Sequence, residues 1–213
     1  EYLQQAVAQI GGMEKGVVRI GTFNSACVEW MPSLLRGFEK DYPNIRIDIY
    51  QGSYDDVYQW LKDGIVDLGF LSSTSAGDLS CTPIYQDKII CVAPQGFKTE
   101  NEGYITIEEL KKQRFVTQRE GCDADVNHVM NKYDLPGGGG SYIADDMSAV
   151  SLVMGGFGVC LMPELVIRNI PFPVDVIPLE VEEKRTIVLA YVRSDVLAPA
   201  VQKMQSYILE SKS

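Results

Sequence analysis

"GVVRIGTFNSACVEWMPSLLRGFEKDYPNIRIDIY", residues 16–50, is the stretch that decides the fold. It begins with a β-branched run that stops at Gly21, which predicts a buried strand. Apolar side chains then recur three and four residues apart, as on one face of a helix: Met31, Leu34, Leu35 and Phe38. We expect this helix to end before Pro43, because a residue that precedes proline disfavours the α conformation. The alternating isoleucines that follow predict a second strand over 45–50.

The same alternation of strand and helix patterns continues along the chain. Strands are predicted at 17–21, 45–50, 67–71, 88–93, 114–118, 141–144, 158–162, 174–178 and 186–192. Helical spacing recurs at Val126, Val129, Met130 and Tyr133, and again at Val201, Met204 and Ile208. Thr106 with Glu109 predicts a capping box, and Gly64 predicts the end of a helix over 54–63. Repeated alternation implies an α/β fold with largely parallel sheets covered on both faces.

The number of strands favours two sheets over one. We predict a discontinuous two-lobe domain, with 16–92 plus 193–213 in lobe I and 93–192 in lobe II. The chain would cross over near Cys91–Pro94 and return near Ala190–Arg193. Residues 1–12 have helical spacing that ends in two glycines, and we interpret them as the end of a longer linker helix.

Small polar residues gather where the first predicted strand meets its helix. Thr22, Asn24 and Ser25 occupy this junction. In open α/β sheets, ligands bind beyond the carboxyl ends of strands, beside helix N-termini whose free N–H groups attract anions such as a small carboxylate. The alternative is that these residues only cap the helix, but a cap requires one residue and three are present.

Composition excludes several classes of function. The formal net charge is −10, whereas nucleic-acid binding depends on Lys and Arg neutralising phosphates, so this chain alone should not bind DNA tightly. It has five cysteines (Cys27, Cys81, Cys91, Cys122, Cys160) without a C-x-x-C pair, which argues against disulfides and a zinc site. The sequence shows no apolar run of membrane-spanning length and no secretory signal, so we expect no membrane contact and a cytoplasmic location.

Several segments in this order resemble the effector-binding (substrate-binding) domain of LysR-type transcriptional regulators. The most specific are "LLRGFEKDYPNIRI", "LKDGIVDLGF" and "VMGGFGVCLMPE", and the resemblance covers residues 16 to about 210. It implies a periplasmic-binding-protein-like fold: two Rossmann-like lobes joined by two crossover strands, with a cleft for a small-molecule effector. It also implies a homodimer or homotetramer that contacts DNA only through an N-terminal helix-turn-helix domain missing from this chain.

The resemblance also implies effector-binding positions, in four groups. They are Thr22, Asn24 and Ser25; Ser72 and Thr74; Gln118, Gly121 and Cys122; and Met147 or Ser148. Each of these could instead be a solvated turn residue. Acidic residues such as Asp123 and Asp125 stand near the same loops, which leaves room for an amine or amino acid in place of an anionic effector.

Three alternatives follow from single features. The family's peroxide-sensing branch has its reactive cysteine in the loop of Cys122, which leaves a redox sensor open; a helix N-terminus and Arg119 would favour the thiolate, and nearby acids would oppose it. A free solute-binding protein would share the fold but would need export. An enzyme is least supported, because His128 is the single histidine and is expected to be exposed, and catalytic motifs are absent.

No cofactor and no metal are predicted. Asp55-Asp56 and Asp145-Asp146 are expected to cap helices, because adjacent acids do so more often than they share a substrate. Cys91 and Cys160 lie in apolar patterns and are expected in the core. Gly137 to Ser141 read either as a native glycine loop or as an introduced flexible linker.

Overall fold

The structure is a computed structural model that describes residues 15–118, 123–137, 143–168, 171–192 and 197–212. The chain forms two compact units. Unit 1 contains the chain up to Tyr85 together with Thr186 onward, and unit 2 contains Gln86–Arg185. The predicted linker helix at 1–12 lies outside the described residues.

Six strands and seven helices make up the described chain. In order they are β1 (Gly16–Thr22), α1 (Asn24–Asp41), β2 (Ile45–Gln51), α2 (Tyr54–Lys62), β3 (Leu68–Ser72), a 3-10 turn (Ser73–Ser75), β4 (Ser80–Pro94), α3 (Ile107–Lys111), α4 (Ala124–Lys132), α5 (Asp146–Met154), β5 (Cys160–Pro163), α6 (Glu164–Ile167), β6 (Val174–Tyr191) and α7 (Pro199–Lys212). Among these helices, none is both long and apolar enough to cross a membrane.

The strands are hydrogen-bonded in the order β2-β1-β3-β6-β4-β5. In unit 1, β1 runs parallel to β2 and to β3, while β6 runs antiparallel to β3. In unit 2, β4 and β5 pair antiparallel. The long strands β4 and β6 each belong to both units, so the chain passes between the units twice. The predicted α/β fold with two crossover strands is confirmed. The prediction of two largely parallel sheets is wrong, because the long strands β4 and β6 join the others into one six-stranded sheet that has both parallel and antiparallel pairs.

The two crossings lie earlier in the chain than the predicted ones. The units divide between Tyr85 and Gln86 and between Arg185 and Thr186, whereas the sequence placed the crossings near 91–94 and 190–193. The predicted crossings lie at the ends of apolar runs. In the structure both strands extend through polar segments, where the pattern of apolar residues does not mark the crossing.

Close packing of α2 on the sheet explains two glycines of unit 1. A Cβ on Gly69 would lie 2.7 Å from Leu61 Cδ1 and 2.8 Å from Val57 Cγ1. Gly21, on the neighbouring strand, meets the same Val57 side chain. Side chains larger than hydrogen would push α2 away and open voids in a core that includes the fully buried Phe70.

The apolar run of β4 is buried on both faces in unit 2. Ile89, Cys91 and Ala93 pack into one core cluster with the α3 and α4 side, and Ile90 and Val92 pack into a second with α5. Because successive side chains of a strand point to opposite faces, a continuous apolar run is what a doubly covered strand requires.

Local signals predicted several element ends correctly. The Thr106–Glu109 capping box is present at the start of α3. Gly64, just beyond α2, has a φ of 68°. Asp145 is the N-cap of α5, and Asp56 completes a capping box with Ser53. These helix ends depend on contacts between residues a few positions apart, so they can be predicted from the sequence.

Four of the predicted strands need correction. The predicted strands 174–178 and 186–192 are parts of the single strand β6, which continues through the charged segment between them. Glu180 and Glu182 are exposed in that segment, whereas Arg185 is buried. Residues 114–118 and 141–144 do not form extended strands among the described residues. Phe115 makes a single bridge to Val159, and Gln118 makes one to Ile143. Residues 138–142, which include most of the glycine stretch, lie outside the described residues.

Candidate functional site

The candidate site in unit 1 lies where two parallel strands end. Thr22 is the last residue of β1 and Ser72 the last residue of β3. These strands are hydrogen-bonded neighbours, so their carboxyl ends meet at one edge of the sheet. Both side chains are fully buried. The hydroxyl of Thr22 donates to the carbonyl of Phe23 at 3.2 Å, and the hydroxyls of Ser72 and Thr74 lie 3.0 Å apart.

Asn24 and Ser25 begin α1 at this same edge. The N-cap position belongs to Phe23, whose side chain makes no capping hydrogen bond. The structure therefore does not support the alternative that these polar residues only cap α1. Thr22 precedes the cap, and Asn24 and Ser25 lie in the first helical turn, where backbone N–H groups point out of the helix end. We refer to Thr22, Asn24, Ser25, Ser72 and Thr74 as the unit 1 edge.

In unit 2, Gln118 lies close to the start of α5. Its Nε2 donates to Oδ1 of Asp146 at 2.6 Å. Asp146 is the first residue of α5, and the preceding Asp145 is the N-cap, which accepts hydrogen bonds from the backbone and the hydroxyl of Ser148 at 2.8 Å each. The hydroxyl of Ser148 is thus engaged in the cap, and Met147 is exposed. Both remain predictions as effector contacts.

A small cavity lies between the α4 and α5 sides of unit 2. Its volume is about 20 Å³, enough for one water-sized group. Its lining combines an apolar floor with polar side chains, which are those of Thr117, Gln118, Asp123, Asn127 and Asp146. The floor includes Val116, Met130 and Cys160. We call Gln118, Asp123, Asn127 and Asp146 the unit 2 edge.

Asp123 is the most perturbed acid of the unit 2 edge. It is the N-cap of α4, and its Oδ1 accepts from the backbone N–H groups of Asp125 and Val126 at 3.1 and 3.0 Å. Burial raises the pKa of Asp123 to about 6, and the charges of Asp125 and Asp146 add to this rise. Arg185 opposes the rise. Asp123 is therefore partly protonated in mildly acidic solution.

Sequence reasoning found some of these residues and missed others. Gln118 was predicted, whereas Asp146 was assigned only to helix capping, which the structure gives to Asp145. Asn127 was not predicted, because one position in a helix gives no signal of the cavity that it lines. Gly121 and Cys122 lie outside the described residues, as does Arg119.

The described cysteines and the histidine do not form a reactive group. Cys91 and Cys160 are buried as predicted, and burial raises the pKa of Cys91 to about 12 and raises that of Cys160 as well. His128 is exposed on α4. Within the parts of the chain that the structure describes, no group of three or more His, Cys, Asp or Glu side chains is placed to hold a metal ion.

Comparison with known proteins relates this chain to a family of domains. The profile of the LysR substrate binding domain matches residues 11–213. The uncharacterized HTH-type transcriptional regulator YvbU of Bacillus subtilis is 21% identical over 85% of this chain, and the match spans 62% of YvbU. This chain thus corresponds to less than two thirds of that relative.

Two solved structures share the fold. The effector binding domain of QuiR in complex with shikimate superposes with a TM-score of 0.82 at 19% identity, covering 93% of this chain and 97% of that one. The regulatory domain of Synechocystis CcmR in complex with 2-PG superposes with a TM-score of 0.84 at 16% identity, covering 93% and 98%. At such identities the likeness shows the fold. The family profile, which matches nearly the whole length, shows that this chain belongs to the LysR substrate binding domain family.

Proposed function

We propose that this chain is the effector-sensing domain of a LysR-type transcriptional regulator and that it binds a small metabolite. The observation that carries the proposal is the family match over residues 11–213. Two features of the chain support it: buried hydroxyls at the ends of β1 and β3, and a polar-lined cavity beside Gln118. QuiR and CcmR, which share the fold, have been solved with shikimate and 2-PG, respectively.

The effector contacts that we propose fall into two groups, one in each unit. The first is the unit 1 edge, where short hydroxyls and the amide of Asn24 provide both donors and acceptors. The second comprises Gln118, Gly121, Cys122, Met147 and Ser148 in unit 2. Binding regulates only if the effector has different affinities for two conformations of the protein, since equal affinity shifts no population.

DNA binding and assembly belong to the longer protein that we propose as the parent. The net charge of −10 opposes phosphate, so DNA contacts would come from a separate helix-turn-helix domain. We further propose that the parent is a cytoplasmic homodimer or homotetramer. Sedimentation of this chain at high concentration tests the pairing, and a monomer throughout would count against it.

A thermal-shift screen followed by calorimetry tests effector sensing. The panel should contain amino acids, amines, small carboxylates and aromatic acids. A ligand at a hundred times its dissociation constant stabilises the folded state by about 2.7 kcal/mol, which raises the unfolding midpoint measurably.

Variants then locate the contacts of any hit. Ser25→Ala and Gln118→Ala should each weaken binding, because each removes a polar group from a proposed edge. Ser33→Ala is the matched control, since Ser33 lies further along α1 and its hydroxyl bonds the carbonyl of Trp30. If no compound raises the midpoint, effector sensing by this chain is not supported. If a hit binds all three variants equally, the proposed contacts are wrong.

A further inference from the structure

The structure suggests how the proposed sensor selects its effector. We propose that Asp146 is a specificity-determining residue, whose carboxylate engages the amide of Gln118 and excludes effectors that present a carboxylate there, in favour of groups that donate hydrogen bonds, such as an ammonium. The inference rests on the proposed function, because it concerns the effector class accepted by the unit 2 edge.

The hydrogen bond between Gln118 and Asp146 is the main observation behind this inference. It is short, with Nε2 and Oδ1 2.6 Å apart, and both side chains line the same cavity. A carboxylate ligand could reach only the second N–H of the Gln118 amide, beside the Asp146 carboxylate already bound to the first. It would also approach Asp146 closely, and like charges placed side by side cost several kcal/mol.

Asp146 is not needed as the helix cap. Asp145 occupies the N-cap position of α5 and accepts from the backbone N–H of Ser148. The Asp146 side chain instead lines the cavity, where it accepts a hydrogen bond from Gln118. The N-terminus of α5 also favours a negative charge at this position.

The surroundings of Asp146 reinforce the same preference. Asp123 lines the cavity too, and Asp125 acts on Asp123 with the same sign as Asp146. Arg185 opposes them, yet the pKa of Asp123 is still raised, first through burial. These carboxylates would repel a negatively charged ligand group and attract a positively charged one.

The amide of Gln118 also has hydrogen-bonding groups that Asp146 does not use. A primary amide has two N–H donors and one carbonyl acceptor, and Asp146 uses one donor. An ammonium has three donors, so it could bond both the Asp146 carboxylate and the Gln118 carbonyl oxygen. The space is suited to a group of that size, because the cavity holds one water-sized group.

The test uses acetate and methylammonium as small probes of opposite charge. Each is titrated into the wild-type chain and into Asp146→Asn, with the side-chain amide signals of Gln118 followed by NMR. In the wild type, methylammonium should shift these signals and acetate should not. In Asp146→Asn, the affinity for acetate should rise and that for methylammonium should fall, each by roughly tenfold or more.

Asp134→Asn is the matched control, because it removes one negative charge at the other end of α4. Asp134 has a φ of 51°, a conformation that asparagine also adopts. This control should leave both titrations unchanged. Acetate binding equally to the wild type and to Asp146→Asn would overturn the inference, as would methylammonium binding that does not depend on Asp146.

Failure of this inference and failure of effector sensing give different results. A carboxylate effector that binds the wild type and Asp146→Asn equally would overturn the role of Asp146 and leave effector sensing intact. A screen without any binding metabolite would count against sensing itself, whichever way the two probes behave.

Discussion

Arg185 and Asp87 form a buried ion pair at the point where β4 enters unit 2 and β6 leaves it. Nε and Nη2 of Arg185 donate to Oδ2 of Asp87 at 3.0 and 2.7 Å, and the side chains are 2% and 0% exposed. The backbone N–H of Leu165 donates to the other carboxylate oxygen at 3.0 Å. Both oxygens of the carboxylate are thus bonded, which buried charges require.

Removing one member of this pair should destabilise the protein strongly. Arg185→Met leaves the Asp87 carboxylate buried without its counter-charge, at an expected cost of about 3–5 kcal/mol in the free energy of unfolding. The double variant Asp87→Leu with Arg185→Met should recover part of the loss, because an apolar pair leaves no unpaired charge but deprives the backbone N–H of Leu165 of its acceptor. Urea unfolding measures both. A single variant that costs under about 1 kcal/mol would show that the pair is not buried in solution.

Gly158 should tolerate no side chain. Its φ is 146°, and a Cβ there would lie 2.2 Å from the carbonyl oxygen of Arg114. That oxygen accepts the N–H of Val159, so Gly158→Ala disrupts the pairing as well as the conformation, and we expect a loss above about 2 kcal/mol in the free energy of unfolding.

Two other glycines serve as graded controls for Gly158→Ala. Gly103 has a φ of 88° but open space around its Cβ position, so alanine there should cost only about 1–2 kcal/mol of backbone strain. Gly137 has neither constraint, and Gly137→Ala should change stability little. Equal urea midpoints for Gly158→Ala and Gly137→Ala would contradict the described contact with Arg114.

Because of Asp123, the free energy of unfolding should fall as the pH rises from about 4 to 6. Its pKa is raised to about 6 in the folded protein, against about 3.9 in the unfolded chain, so the folded state binds the proton more tightly. The stability that this proton provides is complete below about pH 4 and is lost as the pH rises through 6. Asp123→Asn should therefore stabilise the protein by about 1–2 kcal/mol at pH 7, with no gain at pH 4.

Asp145 provides a control of opposite sign for this pH dependence. It is also an N-cap aspartate, but the hydrogen bond from the backbone of Ser148 lowers its pKa. The stability from Asp145 is present at neutral pH and lost as the pH falls. Asp145→Asn should thus lose stability at pH 7 relative to the wild type. Thermal unfolding of both variants from pH 4 to 8 gives the comparison, and parallel pH profiles would contradict the prediction.

The described cysteines should differ sharply in reactivity. Cys81 is exposed, whereas Cys91 and Cys160 are buried and their thiols have raised pKa values. Pulsed alkylation of the native protein, read by mass spectrometry, should modify Cys81 quickly and Cys91 and Cys160 only as fast as the protein opens. Equal native rates for Cys81 and Cys91 would contradict the buried position of Cys91.

The same labelling separates these thiols from Cys122, on which the redox alternative depends. The peroxide response of the wild type is compared with that of Cys122→Ser in a thermal-shift assay. A response to dilute peroxide that disappears in Cys122→Ser would support redox sensing. A metabolite response that survives the substitution would support the metabolite sensor.

The sequence by itself determined the alternation of strands and helices and many of their ends. The isoleucines of β2, the capping box at Thr106 and the turn at Gly64 depend on spacing and on neighbours a few residues away. The order of motifs also indicated the family. These features are local, so a linear pattern carries them completely.

Only the tertiary structure decided which distant side chains meet. Asp87 and Arg185 are 98 positions apart, and no pattern in the sequence around either residue predicts that they form an ion pair. Asp145 and Asp146 look equivalent in sequence, yet one caps α5 and the other bonds Gln118, 28 positions away. Such pairings are set by strand order and by how the helices pack on the sheet, because these bring the charged groups within hydrogen-bonding distance and remove the water around them.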